Sequence, residues 1–328
     1  MGKTGLRRTA ALLLFVALLF LSGCEKKQPA QETGLLVGFA QIGSESGWRI
    51  GNTRSIQEAA ERRGIRLMTA DANQMQEKEI SAIRSFIAYN VDVIVFVPIV
   101  EDGWENVLQE AKKAGIPVIL SDRQVADTLD PSLYSAYVGA DFHREGVLAA
   151  EFLLRKTAEL PPDTPVRIVQ LTGTEFSSPA LQREQGFLET LERDSRFVLL
   201  DSVSGDFLKS KGKEGMKELL RRHEGQIDVL FSHNDAMAYG AIEAMEEAGL
   251  RPGQDILIIS VDGEQEAIDL LRAGKINCVV ECTPMLGDLV MDLAEALAAG
   301  KDVPPVTYPE ETVFTEDDDL SALPPRGY

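Results

Sequence analysis

From Gly34 onward the chain alternates short apolar runs with amphipathic helical stretches, and this alternation constrains its fold more than any other feature. The runs are LLVGFAQ, IRLMTA, VDVIVFVP and IPVILSD, then VRIVQLTG, FVLLDSV, IDVLFSHND and ILIISVDG. Between them lie segments such as SIQEAAERRG, KEISAIRSFIAYN, WENVLQEAKKAG, LQREQGFLETLERD and DAMAYGAIEAMEEAGL, whose apolar residues recur at helical spacing. Repeated strand-helix units build parallel sheets covered on both faces. Near-continuous apolar strands such as VIVFVP fit a sheet buried on both sides. The runs fall into two sets of four, one before about Asp122 and one between Val166 and Asp262, separated by YSAYVGADF and the Pro-rich ELPPDTPV. The pattern predicts an α/β protein with two doubly wound parallel-sheet lobes, and 328 residues suffice for two cores.

Charge narrows the partners. With 33 Lys+Arg against 52 Asp+Glu the net charge is −19, a poor match for a nucleic-acid backbone or an anionic membrane. The first residues nevertheless point to a membrane surface. Lys3, Arg7 and Arg8 precede the apolar AALLLFVALLFL, and small residues Ser22 and Gly23 follow, as in a secretory signal peptide. The apolar run is too short for a comfortable span, and polar EKKQPAQETG comes next. Leu21-Ser22-Gly23-Cys24 resembles the bacterial lipobox, in which the Cys becomes the lipidated first residue of the mature chain. On this reading residues 1–23 are removed, the mature net charge is −22, and residues 24–33 form a polar tether. The expected location is extracytoplasmic, with the membrane reached only through the lipid.

Cys278 and Cys282 are the remaining cysteines, in NCVVEC. Residues four apart in a strand lie about 13 Å from each other, beyond disulfide reach, so both are expected as buried thiols. With 3 His and no Cys/His cluster, no metal site is expected. Neither a G-x-x-x-x-G-K-[ST] loop nor a G-x-G-x-x-G fingerprint occurs, so no nucleotide cofactor is expected either.

Open parallel sheets bind ligands outside the carboxyl ends of their strands. Those ends carry Glu45, Trp48 and Arg49 after the first strand, Asp122 and Arg123 after IPVILS, and Asn234 and Asp235 after VLFSH. They also carry Asp262 after ILIISV, Asp206 and Phe207 in VSGDF, and Glu281 in CVVE. Asp235 reads as the N-cap of the following helix. The set combines aromatic rings, an amide, carboxylates and guanidinium groups, with no nucleophile-base pair. Sugars present apolar C–H faces flanked by hydroxyls that donate and accept, and this set matches both features.

At these residues the chain, from Gly34 to about Asp318, resembles the type I periplasmic sugar-binding proteins of ABC importers, the ribose-binding class. The matching stretches are LSDRQ, QREQGF, GDFLKSKG, HNDAMAYGA and SVDG. Within the class, VGFAQIGSESGWR, SGDFLKSKGKE, AGLRPGQDILIISVDG and VECTP are most similar to galactofuranose-binding proteins. The resemblance implies aromatic platforms at Trp48 and Phe207 and hydrogen-bonding positions at Asp122, Arg123, Arg183, Asn234, Asp262 and Glu281. Arg183, inside a helical pattern, is carried by the resemblance alone. Arg49 stands where the ribose-binding pattern has a second aromatic, and Glu281 where it has an amide, which argues against ribose as the ligand. The resemblance also implies three crossings between lobes, near Ala140-Asp141, Glu281-Cys282 and Glu311-Thr312. The lobes would then be 34–140 plus 282–311 and 141–281 plus 312–320.

The resulting expectation is a monomeric, non-enzymatic lipoprotein that captures a monosaccharide by hinge closure and delivers it to an ABC permease. A glycosidase would need two carboxylates about 5–9 Å apart, one of them protonated, and Arg49, Arg123 and Arg183 would keep such acids ionised. A sugar-responsive repressor would need a helix-turn-helix where the signal peptide stands. A ligand-sensing partner of a sensor kinase or chemoreceptor differs only in what it docks with, and stays open.

Overall fold

The computed structural model describes residues 34–328. The signal-peptide, Cys24 and tether assignments lie outside the described residues. Among the described residues, no helix is long and apolar enough to cross a membrane.

The first half runs β1 (Leu36–Gln41), α1 (Gly47–Arg62), β2 (Arg66–Asp71), α2 (Gln76–Ala88), β3 (Val93–Phe96), α3 (Glu105–Ala114), β4 (Val118–Ser121) and β5 (Ala136–Val138). The chain then enters α4 (Phe142–Lys156), β6 (Val166–Thr172), α5 (Ser178–Leu191), β7 (Phe197–Ser204), α6 (Lys209–Arg222), β8 (Val229–Ser232) and α7 (Asp235–Glu247). It continues through β9 (Leu257–Asp262), α8 (Gln265–Arg272), β10 (Cys278–Glu281), α9 (Gly287–Ala298), β11 (Val306–Thr307) and β12 (Val313–Thr315).

These strands form two six-stranded sheets, ordered β11-β5-β4-β3-β1-β2 and β12-β10-β9-β8-β6-β7. The two orders are the same winding used twice. All pairs are parallel except β10 with β12, and β1 sets the first register, with Val37 opposite both Leu67 of β2 and Val93 of β3. Each sheet gains short strands that the apolar runs did not announce. Ala136–Val138, inside the stretch read as a separator, is the fifth strand of the first sheet, and β11 and β12 add an edge to each sheet. Two or three residues are too few for a hydrophobic period to show.

The chain passes between the sheets after β5, after β10 and between β11 and β12. Helix α9 packs on α1 of the first lobe, where Arg62 and Arg63 reach Asp288, Asp292 and Glu295. The first core buries Phe39, Phe86, Phe96 and Trp104 on and around its sheet. The second sheet has a core on each face, one around Met216, Met237 and Ile258, the other around Phe142, Phe187 and Phe231.

One close approach positions the functional region. A Cβ at Gly146 of α4 would lie 2.2 Å from the Arg183 carbonyl oxygen, and one at Gly186 of α5 would lie 2.1 Å from that of His143. Two glycines therefore let α4 and α5 touch backbone to backbone. That contact brings Glu145 of α4 to Arg183 of α5, Oε2 to Nε at 2.6 Å, with both side chains buried.

Candidate functional site

Both sheets reverse their strand order beside their first strand, at β1 between β2 and β3 and at β6 between β7 and β8. Crevices at such switch points are where open α/β sheets take ligands. The two crevices share one cavity. Glu45, Ser46, Trp48, Arg49, Asp122 and Arg123 line it from the first lobe. Phe142, Pro179, Arg183, Phe207, Asn234 and Asp262 line it from the second, with Cys282 at a connection between them.

Local sequence explains the placements. Ser46 caps α1, its Oγ accepting the Arg49 N–H at 3.1 Å, so Trp48 and Arg49 begin a helix aimed at the cavity. Trp48 is held from the other side, its N–H donating to Glu264 Oε1 at 2.7 Å and its indole N–H to the Cys282 carbonyl at 2.5 Å. Asp122, Phe207 and Asp262 follow or end strands with φ of +63°, +60° and +124°. Such angles cost non-glycine residues about 1–3 kcal/mol each and concentrate at ligand sites. Asn234 caps α7, its Oδ1 accepting the Met237 N–H at 3.0 Å while its Nδ2 donates to the Phe207 carbonyl at 3.3 Å.

Three guanidinium groups dominate the electrostatics, each over an aromatic ring. Arg49 lies 4.6 Å from the Trp48 ring centroid, Arg123 5.1 Å from Phe207 and Arg183 5.1 Å from Phe142. Arg49 Nε donates to Glu45 Oε1 at 3.1 Å, and its Nη2 lies 2.7 Å from Asp122 Oδ2, an ion contact without hydrogen-bond alignment. Burial works against the charge on Glu45, yet Arg49 and Arg123 hold its carboxyl below the usual range. Burial and the neighbouring Arg49 push Arg123 down to about 10, so it stays protonated at neutral pH. Burial and the Asp235 carboxylate push Asp262 well above the carboxylate range, against the pull of Arg183. Arg49 Nη1, Arg123 Nε and Asp122 Oδ2 are buried with no hydrogen-bond partner among the described residues. Two donors are thus presented beside aromatic faces, with the Asp122 carboxylate held next to them by Arg49, an arrangement able to hold a small polyhydroxylated molecule.

The cavity gathers Glu45, Trp48, Arg49, Asp122, Arg123, Arg183, Phe207, Asn234 and Asp262 of the ten expected positions. Glu281 is not in the lining. Its Oε1 pairs with Arg326 and its Oε2 accepts the Thr312 N–H at 2.9 Å, so both oxygens are engaged away from the cavity. Asp235 is not the N-cap either. Asn234 takes that position, and the Asp235 carboxylate instead accepts from Ser260 Oγ at 2.5 Å and from the Gly263 and Glu264 N–H groups at 2.8 Å. It fixes the turn that follows Asp262.

Sequence reasoning missed Ser46, Phe142, Pro179 and Cys282. Helical spacing held a signal for two of them. Pro179 lies one turn before Arg183, and Phe142 one turn before its partner Glu145. Nothing marked Cys282, which is buried and unbridged like Cys278, as expected of both thiols.

Among the described residues, one group of potential metal ligands stands out: Glu145, Cys282 and Glu311, within 4.8 Å of one another. Each comes from a different connection between the sheets. Arg183 already occupies Glu145, burial pushes the Cys282 thiol up, and burial with the Glu145 carboxylate pushes Glu311 up to about 9.

The pairing predicts a strong effect of one substitution. Asn tolerates the left-handed φ of Asp122, so Asp122→Asn removes a counter-charge from Arg49 and leaves the backbone unchanged. Breaking a buried ion pair from one side costs about 3–5 kcal/mol. Denaturant unfolding should therefore show a loss of that order, and a loss below about 1 kcal/mol would contradict the pairing.

The chain matches the periplasmic binding protein domain family over residues 37–302. It is 41% identical over 286 residues to the galactofuranose-binding protein YtfQ of Escherichia coli K12, covering 86% of this chain and 88% of that protein. A Mycobacterium smegmatis protein solved in complex with β-D-fucofuranose superposes with a TM-score of 0.85 at 47% identity, covering 88% of this chain and 94% of that one. The periplasmic binding component of an arabinose ABC transporter from Shewanella sp. ANA-3, bound to α- and β-L-arabinofuranose, superposes with a TM-score of 0.82 at 40% identity, over 86% and 92% of the two chains. These relatives are solute-binding proteins rather than enzymes. The chain belongs to the periplasmic binding protein family and has its type I architecture of two parallel-sheet lobes.

Proposed function

We propose that this protein captures a monosaccharide in furanose form, galactofuranose being the first candidate, and delivers it to an ABC permease. The observation that carries the reading is the cavity itself: two aromatic platforms, Trp48 and Phe207, beside unpartnered buried donors on Arg49 and Arg123 and the Asp122 carboxylate that Arg49 holds. The relatives support the ring form. Galactofuranose, D-fucofuranose and L-arabinofuranose share one ring configuration and differ in the group beyond the ring. Asp122, Arg123, Asn234 and Asp262 surround the space for such a ring. Glu45 and Arg49 are the groups for the exocyclic hydroxyls, the position where the ribose-binding pattern has an aromatic. Glu281, engaged by Arg326, has no part in this reading.

Capture works by closure. Contacts with the ligand come from both lobes, so a bound sugar stabilises the form in which they meet. Interlobe bonds that belong to that form include Gln124 N–H to Ser178 Oγ at 2.9 Å, Gln182 Nε2 to Gln124 Oε1 at 2.8 Å and Glu101 N–H to the Phe176 carbonyl at 3.0 Å. The lobes, 34–140 plus 282–311 and 141–281 plus 312–320, are the bodies that move.

Calorimetry with D-galactose, D-fucose, L-arabinose and D-ribose tests the ligand. The first three should bind and ribose should bind weakly or not at all. Apparent affinity is reduced by the small furanose fraction in solution. A charge-assisted hydrogen bond is worth about 1.5–3 kcal/mol, so Arg49→Ala should weaken galactose binding about tenfold or more. Tight ribose binding that survives Arg49→Ala would overturn the assignment.

We also propose that Cys24 carries a lipid and holds the protein at an extracytoplasmic membrane face, on the strength of the lipobox and the polar tether behind it. Cys24→Ser should leave the membrane fraction and bind sugar as the parent does. A mature chain without lipid by mass spectrometry would refute the anchor.

A further inference from the structure

The residue that left the expected site leads to a second device. Glu281 is engaged by Arg326, and Arg326 belongs to a segment, residues 324–328, that lies against both lobes. We propose that residues 324–328 form a strap that bridges the lobes and holds them closed, with Arg326 as its positioning residue.

The strap has separate attachments on the two sides. On the second lobe, the Arg326 N–H donates to Gln265 Oε1 at 3.0 Å, its Nε donates to the Gly263 carbonyl at 3.0 Å, and its Nη2 pairs with Glu281. The Gln265 N–H returns a bond to the Tyr328 carbonyl at 2.8 Å. The guanidinium lies 5.4 Å from the Phe314 ring centroid and 5.2 Å from that of Tyr328. The Arg326 and Glu281 side chains are only 13% and 12% exposed, so water screens this pair little. Gly263 directly follows Asp262, which places the anchor next to the cavity.

On the first lobe, Arg54 of α1 donates to the Gly327 carbonyl. Tyr328 rests on Gly51 of the same helix, where a Cβ would come within 3.0 Å of the Tyr328 Cβ. Helix α1 is the element that carries Trp48 and Arg49. Moving it away from the second lobe breaks the Arg54 and Gly51 contacts and leaves the Arg326 anchors intact. The strap therefore opposes opening whether or not a sugar is bound, and it slows release of one that is.

Small-angle scattering without sugar tests this independently of which sugar binds. The chain shortened after Leu323, Arg326→Ala and Arg54→Ala should each have a larger radius of gyration than the unaltered protein. Arg54 is exposed and makes no anchor on the second lobe, so its variant answers even if the shortened chain folds poorly. Stopped-flow dissociation of D-galactose should be about tenfold faster in each, the equivalent of one charge-assisted bond. Arg326→Lys, which keeps the charge but loses the two-point contact with Gly263 and Glu281, should fall between. Sugar-free scattering of Arg54→Ala and of a normally melting shortened chain that matches the unaltered protein would overturn the proposal. If galactose does not bind but the sugar-free radii differ as stated, the strap stands and the sugar assignment fails.

Discussion

Three guanidinium groups buried between two sheets set the terms for the rest of this structure. A lone buried cation is prohibitively costly, so each must be matched by a carboxylate and shielded from water by apolar surface. Arg49 meets Glu45 and Asp122, Arg183 meets Glu145, and Arg123 lies beside Asp122 with its Nη1 donating to the Ile99 carbonyl at 3.0 Å. The aromatic rings of Trp48, Phe207 and Phe142 supply the shielding. The strained backbone at Asp122, Phe207 and Asp262 follows from aiming these groups at one point from strand ends. The unpartnered atoms that remain are what a ligand's hydroxyls would satisfy.

Division of the charges between lobes links binding to shape. Arg49 and Arg123 belong to the first lobe and Arg183 and Asp262 to the second, so neither lobe alone presents the whole set. The chain passes between the sheets at three places, and Glu145, Cys282 and Glu311, one from each, converge beside the cavity that Cys282 lines. Glu145, on the first of these connections, pairs with the same Arg183 that lines the site.

Much of this was legible in the residues. Apolar runs with helices between them specify the two windings, because buried parallel strands have no polar face to interrupt the run. Strand ends then point to Trp48, Arg49, Asp122, Arg123, Asn234 and Asp262 by geometry alone. Arg183 is different: its role depends on two glycines bringing α4 and α5 into contact, and glycine spacing carries no periodic signal. Glu281 sits at a strand end like the others, but a partner 45 residues later in the chain draws its carboxylate outward. The Asn234/Asp235 assignment failed by one position because either residue is a competent cap, and only the need of the Gly263 and Glu264 N–H groups decides between them. Strands as short as β11 and β12 owe their existence to the edges they complete.

The central claim is that the cavity between the lobes holds a five-membered sugar ring. A crystal structure grown with D-galactose tests it most directly. The account predicts a galactofuranose ring between Trp48 and Phe207, its ring hydroxyls on Asp122, Arg123 and Asp262 and its exocyclic hydroxyls on Glu45 and Arg49. A pyranose ring in the cavity, or sugar bound elsewhere with the cavity unchanged, would contradict it.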